Sequence, residues 1–266
     1  MSNDFYKKFE DKYRGSREVI KERLKIYLPF VLGIKNIYPS NATLDLGCGR
    51  GEWLELLAEN DILALGVDSD ESMLKESEML GLNVTLDNAL TYIKQVPDSS
   101  YSIVSAFHFV EHIPFPSLQE LVKEALRVLV PGGLLIMETP NPENITVGSC
   151  NFYMDPNNNK PIPPNLLAFV PEYYGYKNIK LLRLQEPKKV KTNFKLKIYD
   201  IFTGVSPDYA VIAQKDGSDA AIASTKDAFA KDYGMTLEHL SVNYHRLINY
   251  QWIKYQLTKI KRYFAA

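Results

Sequence analysis

A chain of 266 residues with 45% hydrophobic side chains can bury one complete α/β core and carry a small appendage. Its formal net charge of −1 excludes bulk electrostatic attraction to nucleic acid, so no nucleic-acid partner is expected. Two cysteines, Cys48 and Cys150, are too few for a disulfide framework, no secretory pattern opens the chain and no apolar run reaches the roughly 18 residues of a membrane span, so a reducing cytoplasm is the expected compartment.

Residues 1–40 read as a helical N-terminal cap. Ser16 followed by Ile20, Leu24, Leu28 and Val31 predicts a capped amphipathic helix. Before it, Phe5 to Arg17 is dense in aromatic and charged residues. This stretch is either a solvated helix face packed on the core, or Arg14 and Arg17 flank a flexible glycine and reach over a ligand held by the loop that follows.

That loop is Asp45-Leu46-Gly47-Cys48-Gly49-Arg50-Gly51. An apolar run enters it and the helical pattern of Trp53, Leu54 and Leu57 leaves it, predicting a strand, a glycine turn and a helix start. Glycines permit close approach of a ligand to backbone, and the free N–H groups of a helix start attract polar ligand groups. Asp45 repels a pyrophosphate and suits an ammonium, which favours S-adenosyl-L-methionine over a dinucleotide. Cys48 fits as a small side chain inside the turn. Asp68, at the tip of the next strand, stands where a carboxylate accepts ribose hydroxyls, although an aspartate capping the next helix, a task Ser69 or Asp70 could share, explains it too.

With Leu129-Val130-Pro131-Gly132-Gly133 ahead of a fifth strand, Thr43 to Leu135 resembles the class I S-adenosylmethionine-dependent methyltransferases. The resemblance implies a Rossmann-like, mostly parallel sheet with its last strand antiparallel, helices on both faces, and a C-terminal helical extension. It places the cofactor on Asp45, Gly47, Cys48, Gly49, Gly51, Asp68, Ser69, Asn88, Ala89 and Phe107, with Arg14 and Arg17 above. Asn88 stands where the family usually carries an aspartate for the adenine amino group, and Asp87 would serve if the register shifts by one. Strands are expected near residues 43–47, 63–68, 82–86, 101–107 and 133–139, and helices near 52–59, 70–80, 88–95 and 117–129.

The fourth strand delivers Phe107-His108-Phe109-Val110-Glu111-His112. In an open parallel sheet ligands sit beyond the carboxyl ends of the strands, so His108 is expected beside the reactive methyl as general base, with Asp155 the second choice. Glu111 and His112 resemble the Glu-His pair of the family. They tie strand end to helix, or ligate a divalent cation; lacking a further matched acid, the sequence gives no metal. Thr139 to Pro161, rich in Pro, Asn and aromatics, is expected to be a long functional loop or a plain surface loop, with Phe152, Tyr153 and Asn141 touching the acceptor.

Further on, Ile179–Leu184 and Asp208–Gln214 are expected as strands, the latter antiparallel, closing a catalytic domain over 41–215. Between Lys177 and Lys197 eight basic residues face one acid, Glu186, which is a solvated face or an anionic-ligand surface. Residues 216–266 read as a helical extension, with helices near 219–232 and 236–263. The second is basic and aromatic, suited to a membrane surface, a partner helix or a second copy, or packs back on its own domain.

Three stretches, Phe9-Glu10-Asp11-Lys12-Tyr13-Arg14, Phe107 to His112, and Thr139 to Asn144 with Gly148 to Pro156, make the chain similar to methyltransferases encoded with bacterial surface-polysaccharide (O-antigen) biosynthesis. That resemblance implies O-methylation of a sugar hydroxyl on a glycan or lipid-linked glycan, at the inner face of the membrane, with a glycosyltransferase partner or self-association through the C-terminal helices. Methylation of a small quinone-like molecule, and a non-catalytic scaffold for glycan-assembly enzymes, are the alternatives.

Overall fold

The computed structural model describes residue 8 and residues 12–188 and 196–264; the aromatic-basic run before Lys12 and the lysines at 189, 191 and 195 lie mostly or wholly outside them. Seven strands form one sheet in the order β3-β2-β1-β4-β5-β7-β6. They are β1 Thr43–Leu46, β2 Ala64–Asp68, β3 Val84–Leu86, β4 Tyr101–Phe107, β5 Leu129–Pro140, β6 Asn178–Leu184 and β7 Asp208–Gln214. β1 to β5 run parallel, and β7 is antiparallel to both β5 and β6. This is the Rossmann-like methyltransferase sheet that the sequence predicts.

The helices are α1 Arg17–Leu24, α2 Leu28–Ile37, α3 Glu52–Ala58, α4 Glu71–Met79, α5 Ala89–Gln95, α6 Phe115–Val128, α7 Ile145–Ser149, α8 Pro164–Tyr174, α9 Ile198–Gly204, α10 Asp219–Ala223, α11 Lys226–Ala230 and α12 Leu237–Phe264. Ser16 caps α1, its hydroxyl accepting from the Val19 N–H, as the sequence suggests. The apolar period of α6 puts Leu118, Leu121, Val122, Ala125 and Val128 on one buried face.

Both faces of the sheet are covered. On one, Ile93 of α5, Leu118 and Leu121 of α6 and Leu167 of α8 pack on Leu44, Val104 and Leu135. On the other, Tyr27, Phe30 and Ile34 from the N-terminal helices, with Trp53 and Leu57 of α3, pack on Ile103, Leu134 and Ile212. The strand order turns around between β1 and β4, and the carboxyl ends of two such diverging strands leave a crevice open to a ligand. The glycine loop follows one of these strands and His108 the other.

Three boundaries differ from expectation. β5 begins at Leu129, four residues early, because Pro131-Gly132-Gly133 is absorbed into the strand as an irregularity opposite Tyr101–Ile103. The helix expected over 219–232 is two short helices, parted at Ser224 and Thr225. The insertion after β6 contains α9, whose Ile201 packs with Met235 and with Leu240 of α12.

Candidate active site

β1 ends in a carboxylate sealed from water. Asp45 is buried, and its Oδ1 accepts a 2.7 Å hydrogen bond from the Ser105 hydroxyl on the neighbouring strand β4. Burial pushes Asp45 up to about 7, against the Ser105 hydrogen bond, with Asp68 raising it further and Arg14 opposing. The loop beyond it is built from left-handed glycines: Gly47, Gly49 and Gly51 have φ of 74°, 52° and 75°. A Cβ on Gly47 would lie 2.5 Å from the Phe109 ring, so only glycine fits there. Asp68 grips the loop from β2, one oxygen accepting from the Gly49 N–H at 2.8 Å and the other from the Asp70 N–H at 2.9 Å. Asp70, not Ser69, caps α4.

Below this cradle opens a cavity of about 420 Å³. Its walls include Asp45, Gly47, Cys48, Trp53 and Phe107 on the cradle side and Phe152, Met154, Asp155 and Asn158 on the other, with Arg14, Ile20 and Arg23 from the N-terminal segment as a roof. The Trp53 indole N–H is buried without a hydrogen-bond partner among the described residues. Burial raises the Cys48 thiol far above its ordinary range, so it is an inert wall group and not a nucleophile.

The floor is a cluster of ionisable groups brought in by three strands. His108 follows β4 in a left-handed conformation, φ 50°, of the kind that persists where surrounding structure over-determines it. Its N–H donates to the Glu138 carbonyl at 2.9 Å. The ring turns Nδ1 toward Glu111 Oε1 at 3.3 Å and Nε2 toward Glu138 Oε1 at 3.4 Å. Glu111 is itself held by the Thr139 hydroxyl at 2.9 Å, and Glu138 accepts from the buried Tyr27 hydroxyl. Asp208, at the start of β7, completes the group: one ligand atom each from His108, Glu138 and Asp208 lie within 4.8 Å of one another. Burial opposes charge on the imidazole, yet Glu111 and Glu138 hold His108 well above the usual histidine range. Burial likewise raises Glu111, but His108 and His112 outweigh it and Glu111 is lowered.

The pattern of a family described as a methyltransferase domain matches residues 44–137. A solved S-adenosylmethionine-dependent methyltransferase from Archaeoglobus fulgidus is 34% identical, with a TM-score of 0.70 over 79% of this chain and 100% of its own. The chain belongs to the S-adenosylmethionine-dependent methyltransferases. Among curated relatives, a probable S-adenosylmethionine-dependent methyltransferase of Mycolicibacterium smegmatis is 31% identical over 37% of each chain. A demethylmenaquinone methyltransferase of Bacillus cereus is 29% identical over 54% of this chain and 64% of its own. This chain thus spans less than two thirds of the length of these curated relatives. None of the relatives named here is a polysaccharide enzyme, so the acceptor part of the sequence resemblance rests on its motifs alone.

S-adenosylmethionine fits the residues present. The buried Asp45 carboxylate would suit its ammonium, the Asp68 oxygens keep lone pairs to which its ribose hydroxyls could donate, and the glycine loop leaves the room a Cβ would fill. Arg14 already lies over this loop, Nη1 3.5 Å from where a Cβ of Gly49 would stand. Phe107 and Cys48 border the cavity, whereas Gly49, Gly51, Asp68, Ser69, Asn88 and Ala89 lie outside its lining.

Several expected contacts are corrected by the geometry. Arg17 does not reach the cofactor side: it pairs with Glu55, with Glu76 at 3.2 Å, and donates to the Arg50 carbonyl at 2.7 Å, anchoring α1 to α3. The Asn88 side-chain carbonyl is taken by the N–H groups of Leu90 and Thr91 at 3.0 and 3.1 Å, so it caps α5 and is not free for adenine. Ala89 is the buried first residue of that helix. Asn141 is fully buried, its amide donating to the Ser206 carbonyl at 2.8 Å and its oxygen accepting from the Glu143 N–H; it braces the loop after β5. Tyr153 points outward, 62% exposed, while its neighbour Phe152 is the ring on the cavity wall.

His108 is where the sequence places it, and carboxylates face both of its ring nitrogens, Glu111 at Nδ1 and Glu138 at Nε2. Asp155 and His112 both line the cavity; the His112 Nδ1 is buried without a hydrogen-bond partner among the described residues. Glu138 and Asp208 were not singled out from sequence. Their only signal was an acid at the carboxyl end of the fifth strand and one at the start of the last.

Proposed function

We propose that this chain is an O-methyltransferase whose acceptor is a hydroxyl of a sugar-like ring, as in a bacterial surface glycan. The carrying observation is the cavity floor: Glu111, Glu138 and Asp208 around His108, next to the cradle. Hydroxyl-rich rings need hydrogen-bond acceptors when they leave water, and this floor offers carboxylate oxygens, with the Asn158 amide, the Arg23 guanidinium and the flat face of Phe152 along the walls.

S-adenosylmethionine supplies an electrophilic methyl on a sulfonium. The protein's part is to bring the acceptor oxygen in line with it, since positioning carries much of the rate of such a displacement. As the O–C bond forms, the hydroxyl proton passes to a carboxylate of the floor, and His108 offsets the negative charge around it. Glu111 acts through His108, fixing the orientation of the ring. The roof from Tyr13 to Leu24 keeps water from the reacting atoms.

Incubation with radiolabelled S-adenosylmethionine and surface-polysaccharide or lipid-linked glycan extracts is expected to yield an acid-stable sugar methyl ether. Absence of label from every glycan fraction would overturn this acceptor. A quinol ring is the second reading, favoured by the names of the quinone-methylating relatives and by the apolar wall of Trp53, Phe107 and Met154; label in the quinone fraction alone would select it.

A further inference from the structure

We propose that His108, Glu138 and Asp208 form a site for one divalent cation of the Mn²⁺ or Zn²⁺ type, open toward the acceptor cavity. The inference builds on the reading of this cavity as the acceptor site. The ligand set is an imidazole nitrogen and two carboxylates, a mixture that suits borderline and hard divalent ions.

Three features go beyond a chance gathering of acids. The first is spacing. A charge-assisted N–H···O⁻ bond closes to about 2.7–2.9 Å, yet His108 Nε2 and Glu138 Oε1 stand 3.4 Å apart. Metal–ligand bonds of about 2.0–2.1 Å in a tetrahedral arrangement put neighbouring ligand atoms about 3.3–3.4 Å apart, which is the separation of this one pair, and a ligand atom of Asp208 lies within 4.8 Å of both residues' ligand atoms. The second is support behind the ligand. Glu111, 2% exposed, faces Nδ1 of the same imidazole and is itself fixed by Thr139. A buried carboxylate on the far nitrogen of a ligating histidine sets its tautomer and directs the other nitrogen at the ion; here that nitrogen faces Glu138 and the cavity. Tyr27 does the same for Glu138 by donating to its other oxygen. The third is charge. Glu111, Glu138 and Asp208 converge on one imidazole, with His112 near Glu111 and Arg23 acting on Asp208 from the roof, and no hydrogen bond from a described residue reaches the Asp208 carboxylate. A dication balances three carboxylates better than one proton does.

Such an ion faces the side of the cavity on which the acceptor must sit. Its remaining coordination positions fit oxygen ligands, so two adjacent hydroxyls of a diol would bind it in one orientation. This narrows the acceptor class from any hydroxyl to vicinal diols.

The test is direct binding, independent of turnover. Tag-free protein stripped with chelator is titrated with Mn²⁺ and with Co²⁺, followed by calorimetry and by the visible absorption of Co²⁺. One equivalent is expected to bind. Asp208→Asn and Glu138→Gln are expected to weaken binding at least about tenfold, Glu111→Gln about 10–100-fold, and His245→Ala on the exposed helix α12 not at all. S-adenosylhomocysteine binding, measured on every variant, certifies the fold, and either floor variant that keeps it decides the matter. No ion bound by the folded wild-type protein, or equal binding by these variants, would overturn the site. Ion binding without methyl transfer to glycans would remove the acceptor and leave the site; glycan methylation by a protein that binds no ion would do the reverse.

Discussion

Asp45 is the residue from which a pH dependence of cofactor binding is expected. A carboxylate with a pKa of about 7 is half protonated at neutral pH, and only its ionised form can pair with an ammonium. The sign follows. The free folded state holds a proton between the ordinary aspartate value and about 7 that the unfolded chain has released, so this group makes the ligand-free protein less stable as pH rises through that window. Binding of the cationic ligand returns the lost stability. S-adenosylhomocysteine, which keeps the ammonium, is therefore expected to bind about tenfold more weakly at pH 6 than at pH 8, and to give a larger thermal shift at pH 8. Calorimetry of Asp45→Asn is expected to give weak, pH-independent affinity; a retained pH slope would detach the effect from Asp45. Gly47→Ala is a second residue-scale case. Its Cβ meets the Phe109 ring at a φ of 74°, and loss of S-adenosylhomocysteine binding by more than about tenfold is expected. The residues whose relative placement is legible in the sequence are those of contiguous motifs. Asp45, the glycines and Asp68 sit within one strand-turn-helix-strand unit, so their spacing fixes their geometry. Glu138 and Asp208 meet only because β7 pairs antiparallel with β5, Pro140 opposite Asp208, a neighbourhood no local spacing encodes. Asn141 and Asn88 were misplaced for another reason: a polar residue that braces a turn and one that binds a ligand have the same local signature.

At the scale of elements, the roof of the site depends on a seam remote from it. Gly33 in α2 lies against the break between α10 and α11, and a Cβ there would fall 2.4 Å from the Ser224 carbonyl oxygen. Backbone cannot yield as a side-chain tip does, so Gly33→Ala is expected to separate α2 from this segment and cost about 1–3 kcal/mol, read as a lower urea midpoint with an unchanged slope. An unchanged midpoint would mean that the seam is looser than drawn. The same seam explains why one helix was expected where two occur. Residues 219–232 carry a helical apolar pattern, but Thr225 turns its hydroxyl inward to Gln214 and to the Ile222 carbonyl, and this tertiary contact overrides local propensity. The early start of β5 has a similar origin. Gly133 passes close to the Ser102 carbonyl, so residues that read as a turn continue a strand beside β4.

Taken whole, the molecule divides into a part that builds the site and a part that does not. The sheet, both helical layers and the roof converge on the crevice between β1 and β4, and even α10 and α11 lock onto the N-terminal helices. α12 is different. Its first turns pack on α9 through Leu240 and Tyr244, whereas Ile248, Tyr250, Trp252, Ile253, Tyr255 and Leu257 are each 45–65% exposed. No helix among the described residues is long and apolar enough to cross a membrane. A variant ending at Tyr244 is expected to keep its S-adenosylhomocysteine affinity and to melt within about 2–4 °C of the full chain, the change that about 1 kcal/mol produces in a domain of this size. The membrane and second-copy roles expected of this basic, aromatic helix both require the residues removed, so pelleting with anionic vesicles, or dimer formation in sedimentation, is expected to disappear with them. Loss of cofactor binding in the shortened chain would show instead that α12 supports the crevice, and it would then have to act through α9 and Met235, the route by which it touches the catalytic layer.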